Sequence, residues 1–508
     1  MFWLNRIFGQ IQEQLKDKIA SGKTLLVRDE KTASGRVHVG SMRALALHAA
    51  IAERLAEAGI PHHFKYEIND FDPMDGLPVY LDEATYKEHM GKPLYYIPSP
   101  DGVAKNFAEY FAEEYTQAIA EAGFTPEFYR ASELYLTGKM NDAIREALDG
   151  AAAVRKVYKE VSGAERPDDW YPLNVICENC GKVGTTKVFA WDGNEVSYKC
   201  YKTAVKWAEG CEHEGKVSPF DGKAKLPWKV EWPAKWKVVG VDIEGGGKDH
   251  YSKGGARDVA RHISQEVFNY PEPFGVANEF FLVGGAKMSS SKGAGASAKD
   301  IVELVPPKIF RLALFGKDIN QQINFDPEGD TIPVLYDQYD KLAEGYKTTQ
   351  DDDYARLFAY VHPNRHVPTF AGELPRFSQV AFVVQMPHMD LEKEFPNADK
   401  AELHERAEYA KRWLAKFAPE KFVFKLHESL PVIELTSTEK MNLATFAEFL
   451  QSNPSASAED MHAKLHELKA FKEIYKIFLG KESGPKAGWF LASLDKGLVL
   501  NRVSEASK

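Results

Sequence analysis

Two β-prone stretches flank a glycine-rich loop and a helix near the N-terminus, and this order constrains the fold more than any other feature. Residues 24–28 (TLLVR) form the first apolar stretch, and in the second, residues 62–70, Phe64, Tyr66 and Ile68 alternate with other residues. Between them, residues 41–58 carry apolar side chains at helical spacing and end at a glycine. The order predicts a β-loop-α-β unit.

The loop of this unit reads KTASGRVHVGSMRAL (residues 31–45) and enters the helix at its N-terminus. Backbone N–H groups and the helix dipole make such a position suitable for an anion. Gly35 and Gly40 allow a ligand to approach the backbone closely, and Ser34 lies beside them in the sequence. We therefore predict an anion-binding loop here.

The length of 508 residues suits about three or four domains of ~150 residues each. We see no signal-peptide pattern and no apolar run near the ~20 residues of a membrane span, so we expect a cytoplasmic protein. The net charge of −10 argues against a generally basic nucleic-acid-binding surface, but a local basic face remains compatible with it.

All four cysteines lie within one short segment that begins with the motif Cys177-Glu-Asn-Cys180-Gly. Two thiolates on a tight loop suit a zinc ion, and Cys200 and Cys211 would complete a tetrahedral site, with His213 as an alternative to Cys211. Four free thiols or a redox pair are the other interpretations. The segment lacks the βαβ pattern of thioredoxin-like redox motifs, so we predict structural zinc.

The cysteine-bearing segment is also rich in lysine. Residues 182–237 hold eleven lysines against seven acidic residues, with five tryptophans interleaved. Basic and aromatic side chains together suit contact with RNA, whereas a solvated surface over a few core tryptophans is the alternative.

Two later glycine-rich stretches add polar groups suited to a nucleotide. In GGGKDHYSKGGARDVARH (residues 245–262), Asp249 follows Gly247 and can accept hydrogen bonds from ribose hydroxyls. In GGAKMSSSKG (residues 284–293), two lysines flank three serines. Such a positively charged loop can close over a polyphosphate and stabilise a leaving group, and its pairing with HVGS disfavours the alternative of a serine-rich linker.

HVGS followed by KMSSSKG resembles the two ATP-binding signatures of class I aminoacyl-tRNA synthetases. The detail is most similar to the class I lysyl-tRNA synthetases. TASGRVHVGS resembles their TPSGxxHIGN, CENCGK their zinc insertion, and KLPWKVEWPAKW with GGGKDHYSKGGARD their KLPWRVDWPARW and GKDHAAAGGSYD. The ordered match spans about residues 27–293, and LGKESGPKAGWFLASLD (479–495) resembles the end of that family and of bacterial glutamyl synthetases.

The resemblance implies an α/β fold, with a Rossmann-like parallel-sheet catalytic domain split by a zinc-binding insertion and followed by an all-α C-terminal domain. The expected boundaries are residues 1–145 for the first catalytic half, 146–224 for the zinc-bearing acceptor-end insertion, 225–300 for the second catalytic half with the KMSSS loop, 301–335 for a connecting stem-contact region, and 336–508 for an α-helical anticodon-binding domain.

The implied activity is ATP-dependent activation of L-lysine to lysyl-adenylate, followed by transfer to tRNA(Lys). We expect Mg²⁺ with the ATP, structural Zn²⁺, no DNA or membrane partner, and a monomer. The alternatives are a glutamyl or arginyl synthetase, a small nucleotidyltransferase with a similar loop, and a non-charging synthetase-like protein that binds RNA.

The resemblance also implies functional residues, in four groups. They are His38, Ser41, Lys287, Ser289, Ser290 and Lys292 for catalysis; Ser34, Gly35, His38, Gly40, Gly247, Asp249, Lys287 and Met288 for ATP; Glu30, Thr32, Trp228, His250 and Asn278 for the amino acid; and Cys177, Cys180, Cys200 and Cys211 for the metal.

The sequence departs from the family pattern near the expected amino-acid pocket. Glu30 replaces a glycine, Asn278 a tyrosine, and Ser41 an asparagine. We expect Glu30 to offer a carboxylate to the ε-ammonium of lysine. Asp70 and Asp72, which follow the second strand, either pair with a cationic substrate or cap the next helix.

Overall fold

The computed structural model describes residues 2–285, 296–349, 352–386 and 389–508. It divides into two compact units. The first comprises Met1–Phe325 and Leu342–Val367, and the second comprises Asp326–Lys341 and Pro368–Lys508. The predicted residues of the KMSSS loop, namely Lys287, Met288, Ser289, Ser290 and Lys292, lie outside the described residues.

Every strand of the described residues belongs to the first unit. The strands are β1 (Leu25–Thr32), β2 (His62–Asn69), β3 (Glu127–Arg130), β4 (Asn174–Val175), β5 (Thr186–Trp191), β6 (Val196–Cys200), β7 (Glu214–Val217), β8 (Ala224–Lys225), β9 (Gly246–Gly247), β10 (Ala277–Asn278), β11 (Phe281–Val283) and β12 (Ile323–Phe325).

The helices are α1 (Trp3–Gln14), α2 (Lys16–Ala20), α3 (Met42–Glu57), α4 (Glu83–Tyr86), α5 (Phe107–Glu121), α6 (Ala131–Leu136), α7 (Asn141–Asp149), α8 (Ala151–Ser162), α9 (Trp228–Val239), α10 (Ala256–Glu266), α11 (Ala298–Val302), α12 (Pro307–Phe315), α13 (Thr331–Thr348), α14 (Asp353–Val361), α15 (Phe377–Val383), α16 (Leu391–Glu394), α17 (Lys400–Lys416), α18 (Ser437–Ser452), α19 (Ala458–Leu468), α20 (Phe471–Leu479), α21 (Ala487–Ser493) and α22 (Lys496–Ala506). In the described part of the chain, none of them has both the length and the apolar sequence needed to cross a membrane.

A parallel sheet of order β1-β2-β3 forms the centre of the first unit. Val27 of β1 also bridges Ile243 in parallel, and Ile243 bridges Phe274. The chain that follows the cysteine-bearing segment therefore extends the sheet beyond β1. The predicted α/β class with a parallel sheet is confirmed.

The predicted β-loop-α-β unit is present as β1, α3 and β2. The first five residues of β1 are buried, as is typical of a strand in a parallel sheet that is covered on both faces. The strand extends to Thr32, although the sequence analysis placed Lys31 and Thr32 in the loop, because these two residues pair with Ile68 and Asn69 of β2.

The cysteine-bearing segment between α8 and α9 forms two small antiparallel sheets, β4-β8 and β5-β6-β7. The N–H of Cys177 donates to the carbonyl of Lys182, and the N–H of Gly181 donates to the carbonyl of Cys177. Gly181 has φ 73°, a left-handed conformation that favours glycine. The predicted tight turn is therefore present, and its zinc-binding role stays a prediction.

In the second unit, the described residues form helices around an aromatic core. The Tyr336 and Phe377 rings stack with their centroids 4.1 Å apart, and the indole N–H of Trp413 donates to the Pro327 carbonyl at 2.8 Å. Helix α17 forms part of this core and buries Leu403, Ala407 and Trp413.

Candidate active site

A cavity of about 390 Å³ lies beside the carboxyl end of β1, the position where open α/β sheets bind their ligands. Ten of the predicted site residues line it: Glu30, Thr32, His38, Gly40, Ser41, Trp228, Gly247, Asp249, His250 and Asn278. The fold thus brings together segments that lie far apart in the sequence.

The HVGS loop forms one rim of this cavity and leads into α3 through the turn Val39–Ser41. His38 precedes the turn in an extended conformation. A Cβ atom at Gly40 would lie 2.8 Å from Nδ1 of His38, so glycine is what allows the imidazole to fold over the backbone. Ser41 is the residue before α3 and makes no side-chain cap hydrogen bond to it, so its hydroxyl does not cap the helix.

The described residues on both sides of the KMSSS segment lie beside the cavity. Leu282 of β11 lines it directly. On the other side, the N–H of Val39 donates to the Ala296 carbonyl at 3.2 Å, and His38 pairs with Ser297 in an antiparallel bridge. Leu282 and Ser297, which lie on either side of the predicted phosphate-binding segment in the sequence, are therefore both close to the cavity or to the HVGS loop.

Aromatic rings form the opposite wall. Trp228 stacks on Trp232 with ring centroids 5.5 Å apart, and the His250 ring lies 5.2 Å from that of Trp228. The indole N–H groups of Trp232 and Trp236 donate to Glu244 at 3.0 and 2.8 Å. A wall of this kind presents electron-rich faces to a cation.

Arg28 lies below the cavity and is fully buried. Its guanidinium donates hydrogen bonds to the carboxylates of Glu30 (2.5 Å), Glu67 (2.7 Å) and Glu244 (2.6 Å). One cation is therefore shared among three carboxylates.

Two lysines extend this buried network. Lys235 pairs with Glu67 and, at 3.3 Å, with Glu231. Lys225 pairs with Glu231 at 2.7 Å and with Asp72 at 2.9 Å. We call this network the acidic floor. It contains three cations and five carboxylates, namely Arg28, Lys225 and Lys235, and Glu30, Glu67, Asp72, Glu231 and Glu244. Two negative charges remain unbalanced when every carboxylate is ionised.

Two carboxyl groups of the acidic floor have opposite pKa shifts. Burial raises the pKa of Glu30 to about 7, although Arg28 and Lys235 act in the opposite direction. Burial also acts to raise the pKa of Glu67, but Lys235 and Arg28 outweigh it and hold that pKa at about 2. Glu67 is therefore ionised at neutral pH. Glu30, at the cavity, is only partly ionised at that pH, and a cation bound beside it would favour its ionised form.

A family model described as tRNA synthetases class I (K) matches residues 1–364 of the chain. The chain belongs to this family. A lysine--tRNA ligase from Methanosarcina barkeri is 34% identical over 522 residues, which cover 95% of this chain and 94% of the relative. One from Methanocaldococcus jannaschii is 31% identical over 553 residues, 99% of each chain. The predicted membership of the class I synthetases is confirmed.

Among solved structures, a glutamate tRNA ligase from Elizabethkingia meningosepticum is 14% identical and has a TM-score of 0.45. The match covers 96% of this synthetase and 99% of that chain.

Asn278 contributes a hydrogen-bond acceptor to the cavity of the synthetase. Its side-chain N–H₂ donates to the Glu279 carbonyl at 3.1 Å. Its Oδ1 atom is buried and has no hydrogen-bond partner among the described residues, and the side chain lines the cavity. A buried acceptor without a donor costs free energy, so this atom favours a ligand that brings an N–H group.

Some of the predicted residues lie elsewhere. Ser34 lines a second, adjoining cavity, and Gly35 lines neither cavity. Asp70 accepts hydrogen bonds from the N–H (2.8 Å) and the hydroxyl (2.5 Å) of Ser132 at the start of α6, so it supports a helix. Asp72 accepts a hydrogen bond from the Thr32 hydroxyl at 2.7 Å, which connects it to the cavity.

The four cysteines come together as one group in which all sulfur atoms lie within 4.8 Å of one another. The sulfurs of Cys177 and Cys211 are 3.6 Å apart, and those of Cys180 and Cys200 are 3.7 Å apart. Zinc–sulfur bonds of about 2.3 Å in a tetrahedron place sulfur atoms about 3.8 Å apart. The donor set and spacing therefore fit zinc, with Cys211 rather than His213 in the group.

Sequence reasoning missed most of the acidic floor. Arg28, Glu67, Glu231, Lys235 and Glu244 were not identified as functional because isolated charges in strands and helices are usually solvated. The one available signal was the pair Glu231 and Lys235, which stand four residues apart within a helix that is otherwise rich in tryptophan.

Proposed function

We propose that the protein is a lysine--tRNA ligase, which activates L-lysine with ATP and transfers the lysyl group to tRNA(Lys). The relatives with that name match nearly the whole chain. The observation that carries the proposal is the unbalanced negative charge of the acidic floor beside an aromatic wall. A cavity with this charge distribution selects a cationic side chain over a neutral or acidic one.

The ε-ammonium of lysine would offset one of these two negative charges. Glu30 borders the cavity, shares Arg28 with two other carboxylates, and gains a cation when lysine binds. Trp228 and His250 would hold the aliphatic chain and ammonium, with Thr32 beside them. An arginine guanidinium is wider and planar, so it fits this arrangement less well.

In the activation step, the lysine carboxylate attacks the α-phosphate of ATP in line, an oxygen–phosphorus bond forms, and pyrophosphate leaves. Positioning and charge stabilisation are the main requirements of such chemistry. We assign His38, with Ser41 and Gly40, to the phosphates at the HVGS rim, and Gly247 and Asp249 to the ribose side. Lys287, Met288, the serines and Lys292 would hold the leaving pyrophosphate.

Metal ions enter this proposal in two places. Mg²⁺ bound with ATP would neutralise part of the polyphosphate charge. In the described part of the chain, the cysteine group is the one set of three or more His, Cys, Asp or Glu side chains whose ligand atoms are placed to hold a metal ion. We therefore assign structural zinc to it and expect Mg²⁺ to bind together with the nucleotide.

In the second step, a terminal ribose hydroxyl of tRNA attacks the carbonyl carbon of lysyl-adenylate, and AMP leaves. We propose that residues 146–224 form an insertion that orients the acceptor end of the tRNA, that residues 301–335 contact its stem, and that the helices of residues 336–508 bind the anticodon.

Amino-acid-dependent ATP–pyrophosphate exchange with each of the twenty amino acids tests the proposal directly. We expect exchange with lysine alone. Exchange that responds to glutamate or arginine and ignores lysine would contradict the substrate assignment. Binding of tRNA(Lys) without exchange for any amino acid would instead identify a non-charging RNA-binding protein.

A further inference from the structure

One lysine, Lys31, lines the active-site cavity at the carboxyl end of β1. Among the described residues that line this cavity, it is the one lysine or arginine. Five carboxyl groups line the same cavity, namely those of Asp29, Glu30, Glu244, Asp249 and Glu279. A single lysine among so many carboxylates is expected to form an ion pair with one of them.

Lys31 nevertheless has no ion pair and no side-chain hydrogen bond with any described residue. Its neighbours along the strand already have other partners. Asp29 accepts a hydrogen bond from the Glu30 N–H at 2.8 Å and lies 3.3 Å from Nδ1 of His48. Glu30 pairs with Arg28. The ammonium of Lys31 therefore lacks a direct ion-pair partner within the described chain.

The surroundings of this ammonium favour an anionic ligand. The residue is partly buried, and burial lowers the pKa of Lys31, although Asp29 and Glu30 act in the opposite direction. A cation that has lost water and gained no direct partner carries a desolvation cost. An anion bound beside it would offset that cost, as an ion pair within the chain does elsewhere.

The pleat of β1 separates Lys31 from the acidic floor. Successive side chains of a strand point to opposite faces, so Arg28 and Glu30 share one face, whereas Asp29 and Lys31 share the other. The second face is the one covered by α3, because His48 of that helix contacts Asp29. Helix α3 begins at the HVGS loop. Lys31 therefore lies on the side of the cavity that we assign to the phosphates of ATP.

We propose that Lys31 is a further catalytic residue of the activation step, whose ammonium binds the α-carboxylate of the lysine substrate beside the α-phosphate of ATP. This inference rests on the proposed function, because it concerns the first step of the same reaction. The substrate extends across β1, with its ε-ammonium at Glu30 and its α-carboxylate at Lys31. Each charged end of the substrate then meets the opposite charge.

The ammonium of Lys31 reduces the repulsion between the two reacting anions. A carboxylate oxygen attacks the α-phosphorus, and the new oxygen–phosphorus bond forms as the bond to the oxygen that bridges to the β-phosphate breaks. Pyrophosphate leaves with that electron pair, and no proton is transferred. A cation that is fixed beside these groups before the reaction stabilises the charge that develops in the transition state.

Paired binding measurements test the contact with the carboxylate. Titration calorimetry without ATP compares L-lysine with L-lysinamide, in which a neutral amide replaces the carboxylate. We expect Lys31→Met to weaken lysine binding by about 10- to 100-fold, the scale of a hydrogen bond between charged groups, and to leave the affinity for lysinamide within about twofold. Lys31→Arg should keep most of the affinity for lysine because it retains the charge.

Single-turnover formation of lysyl-adenylate, at saturating lysine and ATP, tests the catalytic role. We expect Lys31→Met to slow this step by about 10²–10³-fold, the usual effect of losing one preorganised electrostatic donor. Lys65→Met is the matched control, because Lys65 is a partly buried lysine of the neighbouring strand β2 that does not line the active-site cavity. It should leave lysine affinity and the rate within about twofold of the wild type.

The proposal requires both effects of Lys31→Met, so the absence of either one overturns it. Equal losses of affinity for lysine and lysinamide would also overturn it, because they would indicate a general distortion of the cavity. Should Lys31→Met fail to fold, Lys31→Gln provides the same tests, since it keeps a polar side chain and removes only the charge.

Lysine-dependent ATP–pyrophosphate exchange by the wild-type protein separates this inference from the proposed function. Absent exchange refutes the ligase function. Normal exchange by the wild type, together with unchanged lysine binding and adenylate formation in Lys31→Met, refutes only the role of Lys31.

Discussion

The acidic floor and the cysteine group are both clusters of ionisable side chains, but they are held together in different ways. In the acidic floor, opposite charges of the chain itself lie within hydrogen-bond distance of one another. In the cysteine group, four like ligands converge within 4.8 Å, and thiolates at that spacing repel one another unless a cation lies between them. The comparison teaches that the acidic floor contains its own compensating cations, whereas four thiolates in the cysteine group would need a bound cation to offset their charge.

The largest expected effect is therefore the removal of zinc. We expect one zinc per chain, and its chelation should abolish transfer to tRNA while lysine-dependent exchange largely persists, because the walls of the active-site cavity do not come from the insertion. Elemental analysis, thiol titration and the two activity assays measure this. Purified protein that contains no zinc, and in which all four cysteine thiols titrate freely, would contradict this prediction.

The acidic floor should instead respond to the loss of one of its own cations. Lys235→Met removes a buried cation, after which Glu67 retains Arg28 and Glu231 retains Lys225 as partners. Because the buried carboxylates lose one of their three compensating charges, we expect the free energy of unfolding to fall by about 3–5 kcal/mol. Lys237→Met is the matched control on the same helix, because its pair with Glu146 is part-exposed and worth at most about 1 kcal/mol. Equal effects in denaturant titrations of the two variants would contradict the prediction.

The cysteine group and the β-loop-α-β unit could both be predicted from the sequence because their signals are local. The four cysteines stand close together in the chain, and their spacing indicates a site without knowledge of the fold. The β-loop-α-β unit was predictable for a similar reason, since its periodicity and glycines are local.

The acidic floor was not predictable in this way. Arg28, Glu67 and Lys235 come from two parallel strands and a helix after the insertion, and only the folded sheet brings them into contact. Glu30 was identified from the family resemblance as a carboxylate for lysine, but the resemblance gave no sign that Arg28 already binds it. Charge pairs with long sequence separation carry no local signature.

The next effect in size is expected at Glu30, where the acidic floor borders the substrate. Glu30→Gln removes one negative charge, so we expect the KM for lysine to rise by about 10- to 100-fold, the scale of a hydrogen bond to a charged group. The KM for ATP should change little. Glu146→Gln, at the part-exposed pair with Lys237, is the control and should leave both values near those of the wild type.

The pH dependence sharpens this test. Burial raises the pKa of Glu30 to about 7, so its carboxyl group is largely protonated below that pH and ionised above it. The lysine ε-ammonium, with an ordinary pKa of about 10.4, stays charged across this range. The KM for lysine should therefore fall as the pH rises from about 6 to about 8 in the wild type and stay level in Glu30→Gln. A parallel slope in both proteins would assign the titration to another group.

The smallest expected effect is at Asn278, and it separates binding from stability. Its unpartnered Oδ1 is an acceptor that the free protein leaves unsatisfied, so Asn278→Ala removes one contact to a ligand N–H but also removes a desolvated atom. We expect the KM for lysine to rise by about 3- to 10-fold while the free energy of unfolding changes by less than about 1 kcal/mol. Asn320→Ala, at an exposed asparagine outside the cavity, should change neither quantity. If Asn278→Ala instead lowered the free energy of unfolding and left the KM for lysine unchanged, Asn278 would have a structural role rather than a role in substrate binding. Selection of lysine over other amino acids would then depend on Glu30.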